Sequence, residues 1–135
     1  VTNRWMGLTI DCADPARLSS FWGALLELAP STEHGDDPGW ATLGTRTGDQ
    51  PRLTFQRVPE AKTSKARLHL DVEVDDIDVA RAQVERLGGS WSGERHDYDE
   101  GMVLVMLDPE GNEFCLVQFY DRRQVILRTW RVPRR

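Results

Sequence analysis

Leu107-Asp108-Pro109-Glu110-Gly111-Asn112-Glu113-Phe114-Cys115-Leu116 is the stretch whose reading decides the fold. It reads as the end of a strand, a tight turn and the start of the next strand. Pro109 presets φ for the second position of a turn, and Gly111 tolerates positive φ two residues later. Apolar runs from Met102 to Leu107 and from Phe114 to Phe119 flank the turn, which makes the unit a hairpin.

Two strand-and-helix patterns precede that hairpin. From Arg4 to Cys12 the chain alternates, with Met6, Leu8, Ile10 and Cys12 on one face and Trp5, Gly7, Thr9 and Asp11 on the other. Asp14-Pro15 then opens a helix, an N-cap followed by a proline at the first helical position. Leu18, Phe21, Trp22 and Leu25 form its apolar stripe, and it ends near Leu28, before Pro30. Residues 31–39 read as turn-rich. Strands are expected over Trp40–Gly44 and Arg52–Val58, followed by a polar linker, Pro59–Ser64.

The pattern then restarts. Leu68, Leu70, Val72 and Val74 alternate with Arg67, His69, Asp71 and Glu73. Asp76 is placed to cap a helix striped with Ile77, Ala80, Val84 and Leu87, which Gly88-Gly89 stops. Strands over Ser90–Arg95, Met102–Leu107 and Glu113–Phe119 complete the set. Leu8, Ile10, Cys12, Asp14 and Leu25 thus map onto Leu70, Val72, Val74, Asp76 and Leu87, an internal repeat. The expected organisation is one domain, 1–121, of two modules (1–62 and 63–121), with a C-terminal extension over 122–135. The fold class is α+β: two pseudo-symmetric βαβββ modules whose curved mixed sheets form a cup, helices outside and ligand within.

Bulk properties narrow the function. With 135 residues, 39% hydrophobic and 29% charged, the composition is that of an ordinary globular domain. No run approaches the roughly 18 apolar residues of a membrane span, and no signal-peptide pattern opens the chain, so the expected location is cytoplasmic, with no membrane partner. Cys12 and Cys115 are the only cysteines, and both read as buried thiols. The net charge is −5, yet residues 122–135 carry six arginines and no acid. The acidic body excludes nucleic acid as the main partner and favours a cationic ligand. The basic extension, with Val125, Leu127 and Val132 as packing residues, is expected to bind phosphates or to lie on the acidic surface of its own or a second chain.

The two βαβββ repeats resemble the vicinal oxygen chelate superfamily, and most closely its glyoxalase-like domains. The carrying residues are Asp14-Pro15-Ala16-Arg17 with Phe21-Trp22, then Leu53 to Glu60, Arg67 to Val72, and Asp108 to Leu116. That superfamily includes glyoxalase I, extradiol dioxygenases, fosfomycin-resistance transferases and bleomycin-resistance proteins. The resemblance implies homodimers, and metal ligands on inward faces of the first and last strands of each module. The corresponding positions here are Gly7, Thr54 or Gln56, His69 and Cys115, which make a poor donor set. No metal or other cofactor is therefore expected.

What remains is a cup lined by Trp5, Thr9, Asp11, Trp40, Thr54, Gln56, Met102, Leu104, Met106 and Cys115, with Trp91 at its rim. Flat aromatics and methionines suit a small hydrophobic or aromatic ligand. His69 and Asp71 share one side of a strand, about 6–7 Å apart by strand rise. They are the candidate catalytic pair for an alternative function, a lyase or isomerase acting on a small carbonyl compound by acid–base chemistry. A nucleophilic role for Cys115 would need His69 as its base, and a soft metal site would need both. His34 and His96 read as solvated loop histidines, with His96-Asp97-Tyr98 a candidate lid.

Overall fold

A computed structural model describes residues 3–32 and 34–120; the expectations for the arginine-rich extension lie outside these. The described chain forms two compact units. The first runs through Ser64 and also contains Asp108–Gly111; the second comprises Lys65–Leu107 and the residues from Asn112 onward.

The first unit contains β1 (Gly7–Cys12), α1 (Pro15–Leu26), β2 (Pro30–Ser31), β3 (Trp40–Leu43) and β4 (Arg52–Arg57). Its sheet order is β1-β4-β3-β2, with β1 parallel to β4 and the other pairs antiparallel. Asp14 caps α1 by accepting from the Arg17 N–H at 3.1 Å, and Pro15 occupies the first turn, as the sequence predicts. The helix stops at Leu26 because Glu27 turns left-handed, with φ 54°. The two-residue strand β2 has no sequence signal, since Pro30 reads as a breaker.

The second unit repeats the order with β5 (Asp71–Glu73), α2 (Ile77–Arg86), β6 (Ser90–Asp97), β7 (Gly101–Leu107) and β8 (Glu113–Phe119). Its sheet order, β5-β8-β7-β6, again puts a parallel pair at one edge. Asp76 caps α2 through the Asp78 and Val79 N–H groups, and Gln118 Oε1 accepts from Ile77 N at 2.8 Å. The fold is therefore α+β with two βαβββ modules. The first strand of the second module is shorter than its alternation predicts: regular pairing covers Asp71 to Glu73, while Cys115 N still reaches Leu70 O.

Each unit packs its helix on one sheet face. Leu18, Phe21 and Trp22 meet Leu43, Leu53 and Phe55 in the first; Ile77, Ala80 and Val84 meet Leu104, Met106, Phe114 and Leu116 in the second. Each such side chain stabilises the fold by about 1.5–3 kcal/mol relative to exposure. The β7–β8 turn finishes the first unit. Gly111 adopts φ 83°, Asp108 is buried beside Trp22, and Glu110 accepts from the N–H groups of Ala13 (2.7 Å) and Asp14 (2.9 Å).

Candidate functional site

Strand parity decides which side chains can meet a ligand. In β8, Gln118 bonds the N-terminus of α2, so Phe114 and Leu116 share the helix side, whereas Glu113, Cys115, Val117 and Phe119 face away. Register then fixes β7 and β5. Val105 and Asp71 flank Cys115, and Val103 and Glu73 flank Val117. At the far end of this face lies an open pocket of about 220 Å³. Its lining is Tyr98, Glu100, Gly101, Met102, Val103, Val117 and Phe119. It is apolar in its walls, with the Glu100 carboxylate as its one acid.

Two expected ligand residues leave the site. Leu104 pairs with Leu116 and Met106 with Phe114, so both point to the helix side, where they are 3% and 0% exposed. Alternation cannot assign them from sequence, because both parities of β7 are apolar. Met102 does line the pocket, from the start of the strand. Trp91 also leaves, since it pairs with Met106 and Arg81 stacks over its ring at 4.3 Å. Glu100, Gly101, Val103, Val117 and Phe119 are the lining residues that sequence reasoning missed, and Tyr98 entered it only as part of a candidate lid. The register that reveals them comes from the structure: Leu107 lies opposite Glu113, which puts odd residues of β7 beside odd residues of β8.

The proposed catalytic pair is not brought together. His69 precedes β5 instead of lying in it, and its Nε2 sits 3.3 Å from Ala66 O. Asp71 instead faces Cys115. Burial pushes the Cys115 thiol up from its ordinary range, and the charge of Asp71, its hydrogen bond to the thiol and the charge of Glu94 push the same way, against Lys65. A thiol held protonated in this way is neither a nucleophile nor a ready metal ligand. Glu113 accepts from Ala66 N at 2.8 Å and anchors the segment that carries His69.

In the first unit, Thr9, Asp11, Trp40, Thr42, Thr54 and Gln56 share the face opposite α1. Thr54 is buried, with its hydroxyl 3.3 Å from that of Thr42, so it is already engaged. Trp40 is half-buried and stacks on His34, ring centroids 4.9 Å apart and 22° from parallel. His34 is exposed, but it is not merely a solvated loop residue. Thr9 and Asp11 are exposed, and Gln56 is half-buried opposite Trp40 in the register. Trp5 stands before β1 in a different pocket, beside Arg4 and Arg46.

The superfamily's divalent metal does not fit these residues. Gly7 has no side chain, and a Cβ there would stand 2.7 Å from Arg52 O, so the backbone leaves no room for a ligand. Thr54, His69 and Cys115 are each turned to another partner. Among the described residues, no three His, Cys, Asp or Glu side chains gather as a metal would need.

Several solved structures resemble this one in fold. A glyoxalase/bleomycin resistance protein/dioxygenase family enzyme from Burkholderia phytofirmans superposes with a TM-score of 0.71 at 18% identity, covering 87% of this chain and 99% of its own. The fosfomycin resistance protein FosX from Mesorhizobium loti gives 0.65 at 12% identity, covering 93% and 99%. A glyoxalase/bleomycin resistance protein/dioxygenase from Nocardioides gives 0.66 at 15%, covering 90% and 87%. At such identities the likeness shows the fold and not the activity. None of the curated protein sequences matches the chain. The sequence model of the glyoxalase-like domain matches residues 7–117, from the first residue of β1 almost to the end of β8, and the chain belongs to that family, within the vicinal oxygen chelate superfamily.

Proposed function

We propose that this glyoxalase-like protein is a metal-independent binder of a small hydrophobic or aromatic molecule carrying a positive charge. The observation that carries the reading is the pocket on the second sheet. Val103, Val117, Phe119 and Met102 offer apolar contact, Tyr98 a ring, and Glu100 an anion. Its volume, about 220 Å³, suits one or two rings rather than a large antibiotic. Proton transfer by His69 and Asp71 lacks geometric support, because each is turned to another group. The two free thiols fit a reducing, cytoplasmic setting. No helix among the described residues is long and apolar enough to cross a membrane.

The test is ligand-detected NMR with phenethylamine and 1-naphthylmethylamine, on the wild type and on Val103→Trp, which fills the pocket. Saturation transfer is expected in the first and not in the second. Equal transfer in both overturns the placement. A stoichiometric transition metal in the purified protein overturns metal independence. The chain is further proposed to form a homodimer; a monomer at every concentration in sedimentation equilibrium overturns that.

A further inference from the structure

The pocket on the second sheet lies where β8 ends. Phe119, the last residue of that strand, forms part of its wall, and Tyr120 N donates to Glu100 O at 2.9 Å, so the chain leaves the sheet at the edge of the pocket. On the face away from α2, Val103, Val105, Val117 and Phe119 are only half-buried, and Tyr98 and Tyr120 are 56% and 57% exposed. An apolar strip beside an open pocket, with two exposed rings next to it, marks a contact surface. The unit that carries it is acidic. Residues 65–107 and 112–120 hold five Lys or Arg against eleven Asp or Glu, a surplus of six acids that persists whatever ion pairs form within the unit. Residues 121–135 lie outside the described residues, and their chemistry is read from the sequence. It is the opposite: from Arg122 onward there are six arginines and no acid, interleaved with Val125, Ile126, Leu127, Trp130 and Val132.

We propose that residues 122–132 of the same chain dock on this face, with Trp130 in the pocket. Six positive charges meet a unit with six excess acids, and the apolar residues between the arginines meet the valines of the strip. Trp130 is the segment's one aromatic residue, and Arg131 follows it, so together they present a flat ring beside a cation. That is the chemistry of the ligand proposed for the pocket; the docking rests on that reading and adds a competitor built into the chain. The tether decides between occupants. A segment that starts at the pocket's edge holds a far higher local concentration there than a second copy does. Ten residues separate Tyr120 from Trp130, a reach of up to about 35 Å. The seven residues of β8 span about 23 Å, so the whole face is within that reach. A small apolar amine therefore enters as Trp130 leaves.

The experiment uses the full chain with ¹³C-labelled valine methyls. In Trp130→Ala and, separately, in Arg131→Glu, the methyl signals of Val103 and Val117 are expected to shift as the indole leaves. Those of Val84, in the core under α2, are expected to stay in place and report that the fold is intact. The wild-type signals should not change on dilution. 1-Naphthylmethylamine is expected to bind about tenfold more tightly to Trp130→Ala than to the wild type, the factor for a pocket open about one-tenth of the time. Val103 and Val117 methyls that move in neither variant overturn the docking. So do wild-type methyls that shift on dilution, which would make the occupant a second copy's segment. A measurable amine affinity that is equal in wild type and Trp130→Ala overturns Trp130 as the occupant of the pocket. Methyl shifts in both variants with no amine binding to any form support the docking and overturn the amine reading of the pocket instead.

Discussion

The indole N–H of Trp22 donates to Asp108 Oδ2 at 3.4 Å, both residues buried, although 86 positions separate them in the chain. The other oxygen, Oδ1, accepts from Glu110 N at 2.9 Å and shapes the turn. Asp108→Ala would leave a buried indole N–H short of its acceptor, at a cost of about 2 kcal/mol. Urea unfolding should show the midpoint falling at an unchanged slope. Trp22→Phe in the same background should add less than it costs alone, since the two residues share the bond.

Glu110 makes a second tie, accepting from two backbone N–H groups at the entrance to α1. Glu110→Ala is expected to destabilise by about 2 kcal/mol, in the range for hydrogen bonds to charged groups. The sharper readout is hydrogen exchange. The amides of Ala13 and Asp14 should lose protection in the variant while core amides of β8 keep theirs.

Cys12 predicts an alkaline limit. It is 4% exposed, and burial, with Glu110, Asp14 and Asp11 adding to it against Arg57, raises its pKa from 9.0 to about 11. The folded pKa lies above the unfolded one, so the stabilisation is complete below pH 9 and is lost as pH rises through 11. The loss should be about 2–3 kcal/mol. Unfolding free energies across that window should fall less steeply in Cys12→Ala.

Cys115 offers the same chemistry with a removable cause. Asp71→Asn takes away a charge and weakens the bond that holds the thiol protonated. Iodoacetamide labelling of Cys115 at pH 8, read by peptide mass spectrometry, should accelerate in the variant. Labelling of Cys12 should not change, because Asp71 is not among the groups that shift it.

Gly7 tests the mismatch with metal chemistry. Gly7→His would drive a Cβ against Arg52 O and is expected to cost about 1–3 kcal/mol, the usual range for overpacking. Added zinc should not restore the lost melting temperature. A zinc-dependent rise would show that the strand can yield and that a donor set lies within reach.

Much of this architecture was legible because local chemistry and tertiary structure agree. Asp14-Pro15 and Asp76 start the helices where caps should, and β8 spans the predicted Glu113–Phe119. The candidate site was less legible, for separable reasons. Val103, Val105 and Leu107 are as apolar as Met102, Leu104 and Met106, so β7 carries no alternation to tell its faces apart. His69 continues an alternating pattern in sequence, yet the chain joins regular pairing only at Asp71. The stacking of His34 on Trp40 joins a loop to a strand, and no periodicity encodes it.

The turn from Asp108 to Gly111 belongs to the first unit although most of the second is written before it. During synthesis, then, residues up to Ser64 emerge without the carboxylates that Trp22, Ala13 and Asp14 require. Until the Asp108–Gly111 turn has been made, the first unit lacks the acceptors at its helix entrance. Completion of the first unit is therefore expected to follow synthesis of most of the second. A nascent chain halted before that turn should remain open to proteases in its first sixty or so residues.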